Sequence, residues 1–250
     1  MRIFGLIGYP LSHSFSASYF AEKFAREKIT GCRYLNFPLE NIEKFPELLQ
    51  ATENLCGLNV TIPYKQKILA YLDEMEETAS AIGAVNTIKI SRKENGFYLT
   101  GFNTDVYGFM ESLKPLLAPR HRQALILGTG GSSKAVKYGL EKLGISFLFV
   151  SSSVRNASQG IISYEEITEE VIKRHLLIVN CTPLGMWPNV DSCPPIPYSH
   201  LTSDHLLYDL VYNPSLTAFM KKGMEKGAVV KNGLEMLHLQ AEKAWEIWNS

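Results

Sequence analysis

Lys65 closes the stretch Asn59-Val-Thr-Ile-Pro-Tyr-Lys, and its neighbours give an otherwise ordinary cation a chemical use. Leu58 to Ile62 reads as a short buried strand, rich in β-branched residues and stopped by Pro63. A helical pattern with Ile68, Leu69 and Leu72 follows. The lysine therefore stands at the carboxyl end of a strand, the rim where open α/β sheets bind ligands. A lone lysine in such a place is ordinarily a solvated surface residue. Asn59 and Thr61 change that reading: two apart on a strand, they point to one face and set an amide and a hydroxyl beside the ammonium. An ammonium so placed can stabilise negative charge growing on a carbonyl oxygen and then deliver a proton.

Three other stretches carry polar groups at element ends. Leu11-Ser-His-Ser-Phe-Ser16 opens a helix whose apolar face is Phe15, Tyr19, Phe20 and Phe24. Serines there are either helix caps or, with the free amides of a helix start, a seat for a carboxylate or phosphate; Ser14 and Ser16 are the candidates. Asn86 lies on a β run from Ala84 to Ser91, and Gly96 to Gly101 is its hairpin partner through the Asn95-Gly96 turn signal. Asn103-Thr-Asp105 then begins a helix through Phe109, Leu113 and Leu116. Taken alone, Asp105 is an N-terminal helix residue favoured by the macrodipole, and a chemical role for it requires the lysine.

The second half turns strictly β-α-β after the proline-containing, basic segment 114–123. Ala124 to Leu127 is a continuous apolar strand of the parallel-sheet kind. It runs into Gly128-Thr129-Gly130-Gly131-Ser132-Ser133-Lys134-Ala135 and a helix to Leu143, a variant of the dinucleotide turn in its proper strand-helix context. About 20 residues past the first glycine an NAD site presents an acid to the ribose. Here Ser151, Ser152, Ser153 and Arg155 follow the strand 147–150 instead, which suits a 2′-phosphate and hence NADP; the competing reading is a polar turn with a chance arginine. Further strands are expected at Leu176–Asn180 and Leu206–Val211, and in the first half at Ile3–Gly8 and Arg33–Phe37. The acidic run 73–77 reads as a mostly solvated face. The loop Cys181 to Pro188 has the proline, glycine and large apolar groups to cover a flat ring. A final helix bears Leu234, Leu237, Ala241, Trp245 and Trp248, with Gln240 at the edge of its apolar face.

Composition bounds the rest. With 250 residues the chain can form one large domain or two small ones, and zero net charge argues against nucleic-acid or membrane-surface partners. No apolar run approaches the ~18 residues that span a bilayer. No export signal is visible, and Cys32, Cys56, Cys181 and Cys193 have neither metal nor disulfide-framework spacing, so a reducing cytoplasmic setting is expected. The six histidines form no ligand pattern, and no metal is expected.

Taken together, the motifs closely resemble the shikimate dehydrogenase family nearly end to end. They are S-x-S at Ser14 and Ser16, NVTIPYK at 59–65, GAVNT at 83–87, GFNTD at 101–105, GTGGSSKA at 128–135, NCTPLGM at 180–186, DLVYNP at 209–214 and NGLEMLHLQA at 232–241. The resemblance implies two α/β domains: a substrate-binding and catalytic domain with a mixed sheet over residues 1–104, and a Rossmann-like NADP-binding domain over 105–230. It also implies a C-terminal helix, 231–250, packing back on the first. The reaction it implies is the reversible NADPH-dependent reduction of 3-dehydroshikimate to shikimate in aromatic amino-acid biosynthesis. Lys65 and Asp105 would be the catalytic pair, and Ser14, Ser16, Thr61, Asn86, Tyr212 and Gln240 the substrate contacts. The cofactor contacts would be Gly128, Thr129, Gly130, Gly131, Ser132, Ser151, Ser152, Ser153, Arg155, Leu210, Gly233 and Glu77. The expected assembly is a monomer or homodimer.

Three departures from the family pattern stand out. Ala17 replaces a common proline, Phe20 a common histidine, and Ser151-Ser-Ser153 a common Asn-Arg-Thr, which leaves Arg155 to serve the 2′-phosphate from a shifted position. Two alternatives remain open at this point: a paralogue oxidising quinate or a related ring acid with NAD, and a non-catalytic sensor of the same metabolites. A sensor has no need of a proton donor, so the retention of both Lys65 and Asp105 counts against it.

Overall fold

The computed structural model describes residues 1–11, 14–94, 96–152 and 160–250. The chain divides into two compact units, Met1–Thr104 with Ala241–Ser250, and Asp105–Gln240. The break expected at residue 230 thus falls by contacts inside the last helix.

The first unit contains β1 (Arg2–Gly8), α1 (Phe15–Arg26), β2 (Cys32–Pro38), α2 (Phe45–Ala51) and β3 (Leu55–Val60), then β4 (Glu74–Met75), α3 (Glu77–Ile82), β5 (Thr87–Lys93) and β6 (Gly96–Phe102). The sheet order is β2-β1-β3-β5-β6-β4. Pairing is parallel from β2 through β3, antiparallel across β3, β5 and β6, and parallel again at the β4 edge. Alternation along β1 sorts its side chains. Ile3 and Ile7 enter the core under α2, with Leu58 and Val60. Phe4 and Leu6 face Phe20 of α1 and the end of the chain's last helix, where Ala241, Ala244 and Trp248 are buried. Trp248 stacks on Phe4 at 4.9 Å and donates its indole N–H to the Ile88 carbonyl at 3.0 Å. That helix therefore returns to the first unit.

Two expectations change here. The strand expected over 58–62 is Leu55–Val60, and a 3₁₀ helix over Lys67–Tyr71 replaces the expected α-helix. Pairing with β1 begins at Leu55, and the chain leaves the sheet before the Ile62–Pro63 bond, where proline has no N–H to offer. The acidic run is more than a solvated face. Asp73 accepts the Leu99 N–H at 2.8 Å, Glu74 and Met75 pair with β6, and Glu76 caps α3 through the N–H groups of Thr78 and Ala79 at 2.9 and 3.2 Å.

The second unit contains α4 (Asp105–Leu113), β7 (Gln123–Leu127), α5 (Gly131–Lys142), β8 (Ser146–Val150), β9 (Ile161–Ile162) and α6 (Glu169–Arg174). It continues through β10 (Leu177–Asn180), β11 (Leu206–Asp209), α7 (Ala218–Met224), β12 (Val229–Lys231) and the start of α8 (Leu234–Asn249). The sheet is parallel throughout, in the order β12-β11-β10-β7-β8-β9. Its first strand is central, the next two lie to one side and the last three to the other: the doubly wound dinucleotide order, with its switch point between β7 and β10. Both faces of β7 are covered, Ala124 and Ile126 by one core and Leu125 and Leu127 by another.

Candidate active site

In the first unit the acid-side residues sit where chain ends meet the sheet. Ser14 is the N-cap residue of α1 yet makes no capping bond, and its hydroxyl is buried without a hydrogen-bond partner among the described residues. A buried hydroxyl left unpaired in the free protein is costly, and a ligand acceptor would satisfy it. Ser16, one turn-step further, is buried as well. Thr61 lies just beyond β3, its N–H held by the Ile7 carbonyl at 2.9 Å, and its methyl fills the space that a side chain on Gly8 would take. Lys65 is half-buried in the turn before the 3₁₀ helix, and its carbonyl accepts the Val85 N–H at 2.8 Å. Glu77 is exposed in the first turn of α3.

The next residue along from Val85 is the hub. Asn86 is buried; its Oδ1 accepts the Thr104 N–H at 2.7 Å and its Nδ2 donates to the Thr104 hydroxyl at 3.0 Å. Asn103 donates to the Ala84 carbonyl at 2.9 Å. The Lys65 backbone, the Asn86 carboxamide and the chain up to Thr104 are thus one hydrogen-bonded assembly. Asn59 does not lend its amide to the ammonium as its spacing suggested: only 4% exposed, it is spent on Tyr34, Thr87 and the Asn86 carbonyl. Thr61 no longer shares a strand with it.

In the second unit Asp105 is the first residue of α4 and is buried. One turn on, Gly108 packs against Gln240: a Cβ there would lie 3.2 Å from both the Gln240 Cβ and its backbone nitrogen. Residues three apart on a helix share a face, so Asp105 and Gln240 belong to the same side of α4. Tyr212 is half-buried, and burial pushes its hydroxyl above the usual phenol range, so it is a neutral donor near pH 7.

The dinucleotide features gather at the carboxyl ends of this sheet. Gly128 has φ +97°, a conformation reserved for glycine, and a Cβ on it would stand 2.9 Å from the Thr182 methyl. The turn over Gly128, Thr129 and Gly130 leads into the α5 start at Gly131 and Ser132, where Gly130 provides no side-chain cap. A Cβ on Gly130 or Gly131 would meet nothing within 4 Å among the described residues, and no side chain caps the start of this twelve-residue helix, the kind of helix end that suits a phosphate. Leu210 and Gly233 are brought into contact, since a side chain on Gly233 would overlap the Leu210 carbonyl oxygen. Ser151 takes its N–H to the Ile162 carbonyl at 3.0 Å, and Ser152 is exposed beside it. Ser153 and Arg155 lie outside the described residues, as does Asn95 of the hairpin.

The expected site residues leave out one group at this rim, although it opens the DLVYNP motif. Asp209 is 0% exposed and accepts from Asn180 Nδ2 at 2.9 Å, the Val211 N–H at 3.0 Å and the Thr217 hydroxyl at 2.7 Å. Asn180 Oδ1 in turn accepts the Thr182 N–H at 3.0 Å and hydroxyl at 2.6 Å. This chain of bonds fixes Thr182 against the glycine turn. Burial outweighs the donors and pushes the Asp209 carboxyl up to about 6. Its sequence signal was a polar residue ending each of two apolar strands, at the head of the NCTPLGM and DLVYNP motifs. Among the described residues no group of His, Cys, Asp and Glu could hold a metal ion, and no helix is long and apolar enough to cross a membrane.

Comparison with known proteins agrees with this arrangement. The family model described as the shikimate dehydrogenase substrate binding domain matches residues 6–88. Shikimate dehydrogenase (NADP(+)) of Carboxydothermus hydrogenoformans is 38% identical over 262 aligned positions, spanning 99% of this chain and 91% of its own. The enzyme of the same name from Clostridium beijerinckii is 40% identical over 257, spanning 99% and 92%. The crystal structure of shikimate 5-dehydrogenase from Thermus thermophilus, in complex with NADP(H) and shikimate, matches with a TM-score of 0.84 at 31% identity, over 99% of this chain and 93% of that one. With relatives of this identity matched nearly end to end, the chain belongs to the shikimate dehydrogenase family.

Proposed function

We propose that the chain catalyses the reversible NADPH-dependent reduction of 3-dehydroshikimate to shikimate, with Lys65 and Asp105 as the catalytic pair. NADPH, when bound, supplies the hydride. Gly128 to Ser132 would hold its pyrophosphate, Leu210 and Gly233 would line its path, and Ser151 to Ser153 with Arg155 would serve the 2′-phosphate. Ser14 and Ser16 would take the ring carboxylate. Thr61, Asn86, Tyr212 and Gln240 would hold the ring hydroxyls. As the carbonyl carbon gains its hydride, negative charge grows on the oxygen; the Lys65 ammonium stabilises that charge and gives the oxygen its proton. Asp105 orients the ammonium and favours its return to the charged form. In oxidation Lys65 takes the same proton back.

One observation carries the reading. The Lys65 carbonyl is bonded to Val85, and Asn86 next to it holds Thr104, the residue before Asp105. That bonding around Asn86 supports a pairing of Lys65 with the residue that follows Thr104. We further propose that the enzyme works in the reducing cytoplasm as a monomer or homodimer; its four cysteines are all free thiols.

The test is steady-state rates for shikimate and quinate, each with NADP and NAD. Shikimate with NADP should dominate. Lys65→Ala should lower kcat by about 10²–10⁴-fold, the usual worth of a positioned acid-base group, while NADPH binding stays intact. Wild-type turnover in that variant would remove the assignment.

A further inference from the structure

The amino end of the second unit's sheet, opposite the glycine turn, carries three buried histidines. His121 precedes β7, His175 precedes β10 and His205 precedes β11, three neighbouring strands. A neutral imidazole has one nitrogen that donates and one that accepts, and its partners reveal which is which. Here those partners are backbone groups, whose roles are fixed: an N–H can only donate and a carbonyl can only accept.

Two turns repeat one design. The His121 N–H donates to the Ala118 carbonyl at 2.9 Å, and its ring Nδ1 accepts the Ala118 N–H at 3.0 Å. His205 does the same with Thr202, at 3.1 and 3.0 Å. Each ring then reaches another segment through its Nε2–H. His121 donates to the Asp204 carbonyl at 3.1 Å, and His205 to the Ile172 carbonyl of α6 at 3.2 Å. Asp204 lies inside the turn that His205 closes. The bonds therefore run in series, from the entry of β7 through that of β11 to the helix that leads into β10. His175 stands outside this series: its Nδ1 donates to the Val171 carbonyl at 2.7 Å, a bond that a second ring proton leaves intact.

His121 and His205 must accordingly be neutral, since a proton on Nδ1 would set N–H against N–H inside each turn. The charged neighbours are Arg120 and Asp204, ion-paired at 3.3 Å, and Lys173 and Arg174 in the last turn of α6. Burial lowers both rings below the ordinary 6.5, although Asp204 favours the charged form of each; Arg120 adds to the lowering at His121, and His121 to that at His205.

We propose that His121 and His205 form an acid-released clasp, which locks the entries of β7, β10 and β11 together while both rings are neutral and frees them when the rings take up protons. No group in it is proposed to meet substrate or cofactor, so the clasp stands independently of the proposed function. Because the rings titrate lower in the folded state than when released, the clasp holds in full above 6.5 and weakens as pH falls below that value.

The experiment combines imidazole nitrogen-15 spectra with amide hydrogen exchange on the full chain, from about pH 7.5 to about pH 5, the range in which histidine titrates. At the upper end His121 and His205 should carry their proton on Nε2, and His175 on Nδ1. Exchange of the Ala118 and Thr202 amides, corrected for intrinsic rate, reads the opening constant. Opening releases two rings, so that constant should rise by up to about 100-fold per pH unit below the ordinary histidine value. Asparagine offers an acceptor near the place of Nδ1 and does not titrate. His121→Asn or His205→Asn should therefore reduce the slope to about tenfold per unit, and the double variant should abolish it. A slope that survives both substitutions overturns the proposal, as does a wild-type slope of only about tenfold, which would mean that the rings act separately. Rings protonated on Nδ1 at neutral pH, or still neutral at the lower end, overturn it too. So does loss of protection by the whole sheet together with these two amides, the mark of ordinary acid unfolding. Should the variants fail to fold, the wild-type spectra and exchange decide alone.

Discussion

Asp209 offers a test in which the sign of the effect discriminates between two physical causes. Three donors reach its carboxylate, and bonds of that kind ordinarily hold an acid below its usual range. Complete burial works the other way and wins, carrying the group from 3.8 to about 6. At about 1.4 kcal/mol per pH unit, that rise corresponds to about 3 kcal/mol. Because the folded value lies above the unfolded one, the stability this group contributes is fully present below about 3.8 and is lost as pH rises through about 6. Asp209→Asn keeps the size and the acceptor for Asn180 and Val211 but cannot ionise. Urea denaturation of wild type and variant, compared at steps from pH 4 to pH 8, cancels the contributions of the other carboxylates. The variant should gain on the wild type by up to about 3 kcal/mol across that interval and level off above it. The same loss should reach the loop proposed to meet the cofactor through Asn180 and Thr182, as a KM for NADPH less dependent on pH in the variant. A flat difference profile, or one in which the variant loses ground as pH rises, would show that the donors and not burial control the group.

Ser14→Ala should separate stability from binding. The hydroxyl it removes is buried and has no partner among the described residues, so the free protein should gain about 1 kcal/mol and melt roughly 2–4 °C higher, while KM for shikimate rises at least about tenfold, as for a hydrogen bond to a charged group; a lower melting temperature would mean that the hydroxyl supports the fold. Gly128→Ala forces a side chain into φ +97° beside the Thr182 methyl. It should cost about 1–3 kcal/mol of stability and raise KM for NADPH without altering KM for shikimate, and an unchanged KM for NADPH would remove this turn from the cofactor site.

What could be read in the chain, and what could not, divides along the range of the interactions. Apolar strands buried on both faces, such as Ala124–Leu127, announce themselves through composition, and the glycine turn after them through local backbone need. Hence the two-domain α/β fold, with its mixed and parallel sheets, was legible. Strand limits were not, because pairing partners decide them: β3 begins at Leu55, where β1 receives it, and ends before the β-branched run does. The acidic run is mostly exposed as expected, with Asp73, Glu74 and Glu77 at the surface, but the use of its carboxylates was not legible, for a related reason. Charge predicts a solvated face, but Asp73 and Glu76 spend theirs on backbone N–H groups that only the folded sheet presents. In the candidate site, element ends could be placed from motifs, whereas the use of each amide could not. Asn59 looks available from its spacing, and its true partner Tyr34 becomes a neighbour only through the β2-β1-β3 order and register.

The two units solve one problem with different chemistry. Each must hold a loop at a strand end rigidly, and each does so with a buried carboxamide bonded at both its oxygen and its nitrogen, Asn86 in one and Asn180 in the other. Rigid placement of this kind is what a site needs from the groups behind it. The line through Asn86 runs over hydroxyls, amides and a tyrosine whose burial holds it well above the usual phenol range, so that scaffold keeps its protons across the physiological range. Around Asn180 the partner is a carboxylate with its midpoint near 6. The neutral line can only be satisfied or broken, and a broken one leaves a buried polar group unpaired. The charged line has two intact states, since a protonated Asp209 still accepts through one oxygen and gains a proton to donate. The hydrogen-bonded framework around Asn86 should therefore be indifferent to mild acidification, while the loop proposed to meet the cofactor rests on an anchor that changes state there.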